Sequence, residues 1–260
     1  MTEPLVLTTG RRWALVLGLP FVLAAIGYGG LDYVALVGQD SYRIQPTMAP
    51  IANKVAIGVG NGDVTVVPST STRAVLSGVV DYSLVRPVAR WEHTASGTFL
   101  VGPNCFWAWA CGAELTLAVP AGEAVHATSG SGNLSARNLT SALDLGDASG
   151  DILLDHLSGT LELSASSGDI RGTYISATKV QAHDDSGDID LSFDRPPGQV
   201  DISDDSGDIT VAVPTNVSYL VVANASSGST DIRVPTNPAS HNVIHLSDDS
   251  GDISVVPSGP

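Results

Sequence analysis

Three near-identical stretches hold most of the side chains that could do chemistry. They are Asp184-Asp185-Ser186-Gly187-Asp188, Asp204-Asp205-Ser206-Gly207-Asp208 and Asp248-Asp249-Ser250-Gly251-Asp252. Each places three carboxylates within five residues. Oxygen-rich, hard ligands of this kind suit Ca²⁺, and paired carboxylates also serve glycoside hydrolysis. A reading without any ligand competes with both, because Asp and Ser bond their own backbone in turns. A catalytic pair would stand out as a break in a pattern. These acids are copied from one stretch to the next, which is what a structural role predicts. If equivalent turns stack, they lie about 4.8 Å apart. Carboxylates that close repel each other unless a cation or water intervenes. The nine aspartates are therefore a candidate calcium edge, and the solvated turn stays open beside it.

The elements that must position these turns are visible as a repeat. Ser-Gly-Asp-Ile occurs at 149–152, 167–170, 186–189, 206–209 and 250–253, with looser copies at 131–134 and 227–232. The glycines at 132, 150, 168, 187, 207, 228 and 251 are separated by 18, 18, 19, 20, 21 and 23 residues. A period in this range marks a repeat architecture. An alternating run follows each turn, as in Ile189-Leu191-Phe193 and Ile209-Val211-Val213. A second apolar pair lies half a period away, as in Leu161-Leu163 and Val200-Ile202. Alternation puts one face of a strand into a core. The expected fold is all-β, a β-solenoid or β-helix-like stack of about 20-residue repeats with two short strands each. Gly60-Asn61-Gly62-Asp63-Val64 is a degenerate first copy, and residues 69–114 interrupt the period. The two-residue insertion at Ser229-Thr230 is expected to bulge the turn outward and break the stack.

Other reactive residues are few. His93, His126, His156, His183, His241 and His245 are scattered, and there is no nucleophile elbow, phosphate loop or zinc spacing. Cys105 and Cys111 are the sole cysteines and bracket an aromatic loop with Trp107 and Trp109. In an exported domain they read as a disulfide closing a small loop. A metal pair would need further ligands nearby, and a redox motif a tighter spacing. The loop's tryptophans are either core plugs or a contact tip for a partner or a membrane surface.

The net charge is −15, with 12 Lys and Arg. That balance excludes a basic nucleic-acid face and is unsuited to lying on anionic lipid. At the N-terminus, Trp13 to Leu31 runs without a charge. As a helix it spans about 28 Å, enough to cross a bilayer. Arg11 and Arg12 before it favour a cytoplasmic N-terminus. The expected organisation is a cytoplasmic tail at 1–12, a transmembrane helix at 13–31, a linker at 32–53 and an extracytoplasmic β-repeat domain at 54–257. A cleaved signal peptide is the rival reading; either exports the remainder.

An N-terminal apolar helix, a cysteine-bounded loop, Leu-Thr-Leu-Ala-Val-Pro-Ala-Gly at 115–122 and serial Ser-Gly-Asp-Ile turns ending in Val-Pro together resemble one group. This is the family of bacterial β-strand-repeat proteins, labelled as adhesins, that carry a domain of unknown function. The resemblance covers roughly Val55 to Pro257. It implies a β-solenoid outside a bacterial cell, working through its surface as an adhesion or envelope-interaction module without catalysis. A cell-envelope protein or a glycan is then the expected partner. Two alternatives remain: a sensory envelope protein that binds a ligand through its ectodomain, and a polysaccharide-active enzyme. No cofactor is expected beyond Ca²⁺ at the acidic turns.

Overall fold

The computed structural model describes residues 39–48, 54–83, 90–94, 97–101 and 112–259. The expected tail and transmembrane helix, together with Cys105 and Cys111, lie outside the described residues. The elements in chain order are β1 (Gln39–Met48), β2 (Lys54–Val59), β3 (Asp63–Ser69), β4 (Val75–Ser83), β5 (Arg90–Thr94), β6 (Gly97–Val101) and β7 (Gly112–Pro120). Next come β8 (Ala124–Ser129), β9 (Leu134–Arg137), β10 (Leu143–Asp147), β11 (Ile152–Asp155), β12 (Leu161–Ala165), β13 (Ile170–Ile175) and β14 (Lys179–Asp184). The last are β15 (Ile189–Phe193), β16 (Gln199–Asp204), β17 (Ile209–Val213), β18 (Leu220–Ala225), β19 (Thr230–Ile232), β20 (Val243–Asp248) and β21 (Ile253–Pro257).

These strands form two sheets, one of eleven and one of ten. The larger runs β1-β4-β7-β3-β9-β11-β13-β15-β17-β21-β19, and the smaller β18-β20-β16-β14-β12-β10-β8-β2-β6-β5. From β8 onward each coil lays one strand in the smaller sheet, turns through the Ser-Gly-Asp motif, and lays the next in the larger. All pairings within this body are parallel, with one register shift between Gly172 and Ile175 of β13, and the isoleucines stay aligned: Ile152 pairs with Ile170, Ile170 with Ile189, Ile189 with Ile209 and Ile209 with Ile253. The isoleucine after each turn therefore stacks in one fully buried column. Val125, Leu143, Leu161, Val180, Val200 and Ile244 form the facing column in the smaller sheet. β-branched and aliphatic side chains fill a half-buried pleated surface well, so identical residues at one phase of the repeat give a continuous core.

The ends depart from simple stacking. The chain lays β16 and β17, goes outward to β18 and β19, and then returns to fill the rung between with β20 and β21. The C-terminal strand is thus paired on both sides. The expected bulge at Ser229-Thr230 does not break the stack, because β19 pairs with β21 and β18 with β20. The segment before β20 then crosses the outer edge of the stack. The Tyr219 N–H donates to the Pro235 carbonyl at 2.9 Å, and the Asn237 N–H to the Tyr219 carbonyl at 2.8 Å. Pro235 has no N–H to offer a further strand.

At the other end the interruption at 69–114 becomes antiparallel structure. β4 pairs with β7, β1 with β4, and β5 with β6. This corrects the expected linker at 32–53. Strand β1 occupies residues 39–48 with Ile44 in the core. Pro46 made the stretch read as a break, but its register shifts between Ile44 and Thr47 as a bulge. An outermost strand tolerates such a proline, since its missing N–H can face away from the sheet.

Candidate functional site

The acidic turns stack as expected: Asp184 pairs with Asp204, and Asp204 with Asp248. Within each turn, however, the three carboxylates take different directions. The first is the last inward residue of a strand. In β16, Val200, Ile202 and Asp204 alternate inward with Gln199, Asp201 and Ser203. Asp184, Asp204 and Asp248 are 0%, 3% and 1% exposed, and Asp147, at the same phase of an earlier coil, is 6% exposed. One oxygen of each is satisfied locally. The Ser186, Ser206 and Ser250 N–H groups donate to Asp184, Asp204 and Asp248 Oδ1 at 3.2, 3.1 and 2.9 Å. The other oxygen, Oδ2, is buried in all four without a hydrogen-bond partner. Burial accordingly raises all four carboxyls above the ordinary 3.8, Asp147 and Asp204 to about 6. Desolvation disfavours the charged form.

The second aspartate points out; the Asp185 side chain is 53% exposed. The third forms a ladder between coils. Asp188 N–H donates to Asp169 Oδ1 at 2.8 Å, Asp208 N–H to Asp188 Oδ1 at 3.0 Å, and Asp252 N–H to Asp208 Oδ1 at 2.9 Å. The series begins at Asp63 and passes through Asn133 and Asp151. It ends where the Ser229 N–H and hydroxyl both donate to Asp252 Oδ1, at 2.7 and 2.9 Å. Those bonds hold the Asp252 carboxyl below its ordinary value.

Glycine is required beside the buried carboxyl. A Cβ on Gly207, whose φ is +153°, would overlap the Gly187 carbonyl and come within 2.9 Å of Asp204 Oδ2. This conformation and approach exclude a side chain.

A calcium site at the nine aspartates does not fit this arrangement. One carboxylate of each turn faces the core, one faces solvent and one is bonded to the adjoining coil. Among the described residues no group of three or more His, Cys, Asp or Glu side chains is placed to hold a metal ion.

A second constellation lies on the outward face of the smaller sheet. The residues between the buried ones there pair across the strands as Asp144-Glu162-Gln181-Asp201-His245-Val222. They line a groove of about 610 Å³. Its members are partly tied: His126 Nδ1 lies 2.6 Å from Asp144 Oδ2, and Gln199 Nε2 donates to Asp201 Oδ2 at 2.6 Å. Glu162 and Gln181 have no side-chain partner among the described residues. In the adjoining row His183 Nδ1 is 2.9 Å from Ser203 Oγ, and its Nε2 is 3.2 Å from Asp185 Oδ1. The groove row was missed in the sequence. The signal was available: the same phase of each repeat that alternates with the core is polar from coil to coil.

Comparison with known proteins gives the chain a family. The family described as Toastrack DUF4097 matches residues 52–256, and the chain belongs to it. No curated protein matches the chain. Among solved structures, a "putative adhesin" from Bacteroides fragilis NCTC 9343 is 14% identical with a TM-score of 0.49, over 84% of this chain and 97% of its own. A "putative lipid binding protein" from Parabacteroides distasonis ATCC 8503 is 15% identical with a TM-score of 0.48, over 86% and 95%. A "putative cell adhesion protein" from Clostridium sporogenes ATCC 15579 is 14% identical with a TM-score of 0.35, over 84% and 98%.

Proposed function

We propose that this chain is a membrane-anchored, extracytoplasmic binding module that engages an envelope glycan along the outward face of its ten-stranded sheet, without catalysing a reaction. The observation that carries this reading is the polar row across that sheet. It runs perpendicular to the strands and offers carboxylate, amide and imidazole groups at one strand spacing, about 4.8 Å. A linear, polyhydroxylated ligand laid across the strands meets a donor or acceptor at each of the five rungs from Asp144 to His245. Preformed grooves with a few convergent polar groups are the usual form of a ligand site. The anchor rests on the uncharged run from Trp13 to Leu31 with Arg11 and Arg12 before it.

Hydrolysis is the less favoured reading. Ser203, His183 and Asp185 have the order of a nucleophile, base and orienting acid. Ser203, though, lies within β16, paired on both sides with His183 and Ser247. The backbone N–H groups around it belong to parallel ladders, so they are not free to stabilise an oxyanion.

The test is sedimentation of the full chain in detergent with insoluble peptidoglycan and chitin. Binding should weaken at least tenfold in a Glu162→Ala/Gln181→Ala double variant, with unchanged thermal unfolding. Absence of binding, or binding indifferent to that variant, overturns the assignment. An export-dependent reporter fused after Pro260 should be active in the membrane fraction; a shortened, released product would overturn the anchor.

A further inference from the structure

We propose that the column Asp184–Asp204–Asp248 is a proton-binding site, in which the three carboxyls share protons between neighbouring rungs at neutral pH and ionisation of the column loosens the turns around it. The inference starts from geometry. Three carboxyls occupy equivalent positions on adjacent parallel strands β14, β16 and β20. Each leaves one oxygen buried and unpartnered. An ionised carboxylate in that position would hold an unsolvated oxygen beside like charges one strand spacing away. A proton changes both terms at once. It removes one charge and converts an orphaned acceptor into a donor, with the carboxyl of the neighbouring rung as the acceptor available to it.

The column is closed at both ends. Asp184 is flanked by Ala165 on β12, and Asp248 by Ala225 on β18. A shared proton therefore stays among the three. Two protons complete the two inter-rung hydrogen bonds and leave one negative charge on the trio. Among the described residues, the charges bearing on the three are all negative. The groups bearing on Asp184 are Asp185 and Asp169; on Asp204, Asp184 and Asp248; on Asp248, Asp208, Asp249 and Asp252. His183, the nearest base along β14, points to the opposite face and engages Ser203 and Asp185. Asp147 is an internal control. It is buried with the same orphaned oxygen, but its column neighbours are Ser129 and Ala165.

The sign follows from linkage. Burial raises these carboxyls above the ordinary value. Stability is then full below the unfolded value near 4 and is lost as the pH rises through the folded values. Coupled groups also release their protons in steps that belong to the set, so the loss spreads over a wide range.

The experiment is infrared titration of the full chain in detergent, with ¹³C-labelled aspartate. Wild-type protein should retain an isotope-shifted carboxylic-acid carbonyl band at pH 7, which needs no variant to observe. The Asp184→Asn/Asp204→Asn/Asp248→Asn variant should lose most of that band, leaving a single step from Asp147. Its melting temperature should fall less than that of wild type between pH 4 and pH 8. Should the triple variant fail to fold, Asp204→Asn alone, which splits the column, must narrow the titration. Absence of an acid band at pH 7 overturns the proposal, as does a band and pH profile unchanged by Asp204→Asn.

Discussion

Asp204 and Asp208 stand four residues apart in one turn, with the same side chain and opposite fates. Asp204 ends a strand on its inward phase, and the carboxyl occupies a place that Ala165 and Ala225 fill in other coils. Asp208 lies past the turn, exposed, and its carboxyl accepts the N–H of Asp252. The first column works against its own charge; the second uses charge to bind backbone. The difference shows that strand parity decides what a carboxylate does here. A charge-assisted bond to a backbone N–H stabilises the ionised form, while an orphaned buried oxygen destabilises it. Both columns help specify the turn, one by holding the Ser N–H within it and the other by tying it to the next coil.

The largest expected effect comes from closing the space that the inner column needs. Gly207→Ala places a methyl group against the Gly187 carbonyl and Asp204 Oδ2 at a left-handed φ. Backbone strain and overpacking together should cost about 3 kcal/mol or more in denaturant unfolding. Gly60→Ala, where nothing lies within 4 Å of the added carbon, should stay within about 0.5 kcal/mol. Equal losses at the two sites would show that the turn has no special need for glycine beside the carboxyl.

Next in size is the pH dependence of a single inner carboxyl. Asp147, raised to about 6 chiefly by burial, should lose stability for the fold as the pH climbs from about 4 to above 6. A shift of this size corresponds to roughly 2–3 kcal/mol at most. Chemical denaturation of wild type and Asp147→Asn at pH 4, 6 and 8 measures it. Curves for the two that stay parallel across the range would contradict the assignment.

Much of this organisation is legible in the chain. The isoleucine after each Ser-Gly-Asp recurs at one phase, so the core column can be read directly, and with it the solenoid and the stacking of the turns. The fate of individual aspartates is harder to see. Alternation in Val200-Ile202-Asp204 does put Asp204 inward, but the turn signal around it masks that parity, and the nine acids read as one set. The out-of-order ending is hidden for a different reason. The halves β18–β19 and β20–β21 carry similar local patterns, and pairing between distant coils is not a local property. Ser229 in the place of an aspartate is the one mark that the ladder stops there. A third feature escaped notice although its spacing is regular. Asn138, His156 and Tyr174, 18 residues apart, have φ of 57°, 54° and 53°. They form the opposite corner of the coils, where Asn and His are tolerated and Tyr is not favoured by local sterics.

A direct comparison of the columns follows from truncating each. Asp208→Ala removes the acceptor for the Asp252 N–H and should cost about 1 kcal/mol at pH 7. Asp204→Ala removes both a cap for the Ser206 N–H and an orphaned oxygen. At pH 8, where the column is ionised, those changes oppose, and the variant should match or exceed wild type. At pH 4, where the wild-type carboxyl is protonated and its penalty gone, the same variant should be destabilised by about 1 kcal/mol. Thermal unfolding at the two pH values reads the change of sign. Its absence would mean that Asp204 and Asp208 are not distinguished by burial.

The smallest effect belongs to the middle aspartate of each turn. Asp185, Asp205 and Asp249 are exposed. The Asp185 carboxylate faces His183 Nε2 at 3.2 Å on the surface, and exposed pairs of this kind contribute little. Replacing all three with Asn keeps the shape of the turn and removes three negative charges from a chain of net charge −15. Two consequences compete: loss of the weak His183 contact, and relief of general self-repulsion. Both are screened over about 10 Å at 0.1 M salt. The triple variant should therefore unfold within about 0.5 kcal/mol of wild type in 0.15 M salt and be slightly more stable in 0.01 M salt. Its pH profile between 4 and 8 should nearly coincide with that of wild type, because burial outweighs the repulsion from Asp185 and Asp249 in raising the inner carboxyls. A flattened profile in this variant would move the pH sensitivity from the inner column to the surface, and the contrast between the two columns would go with it.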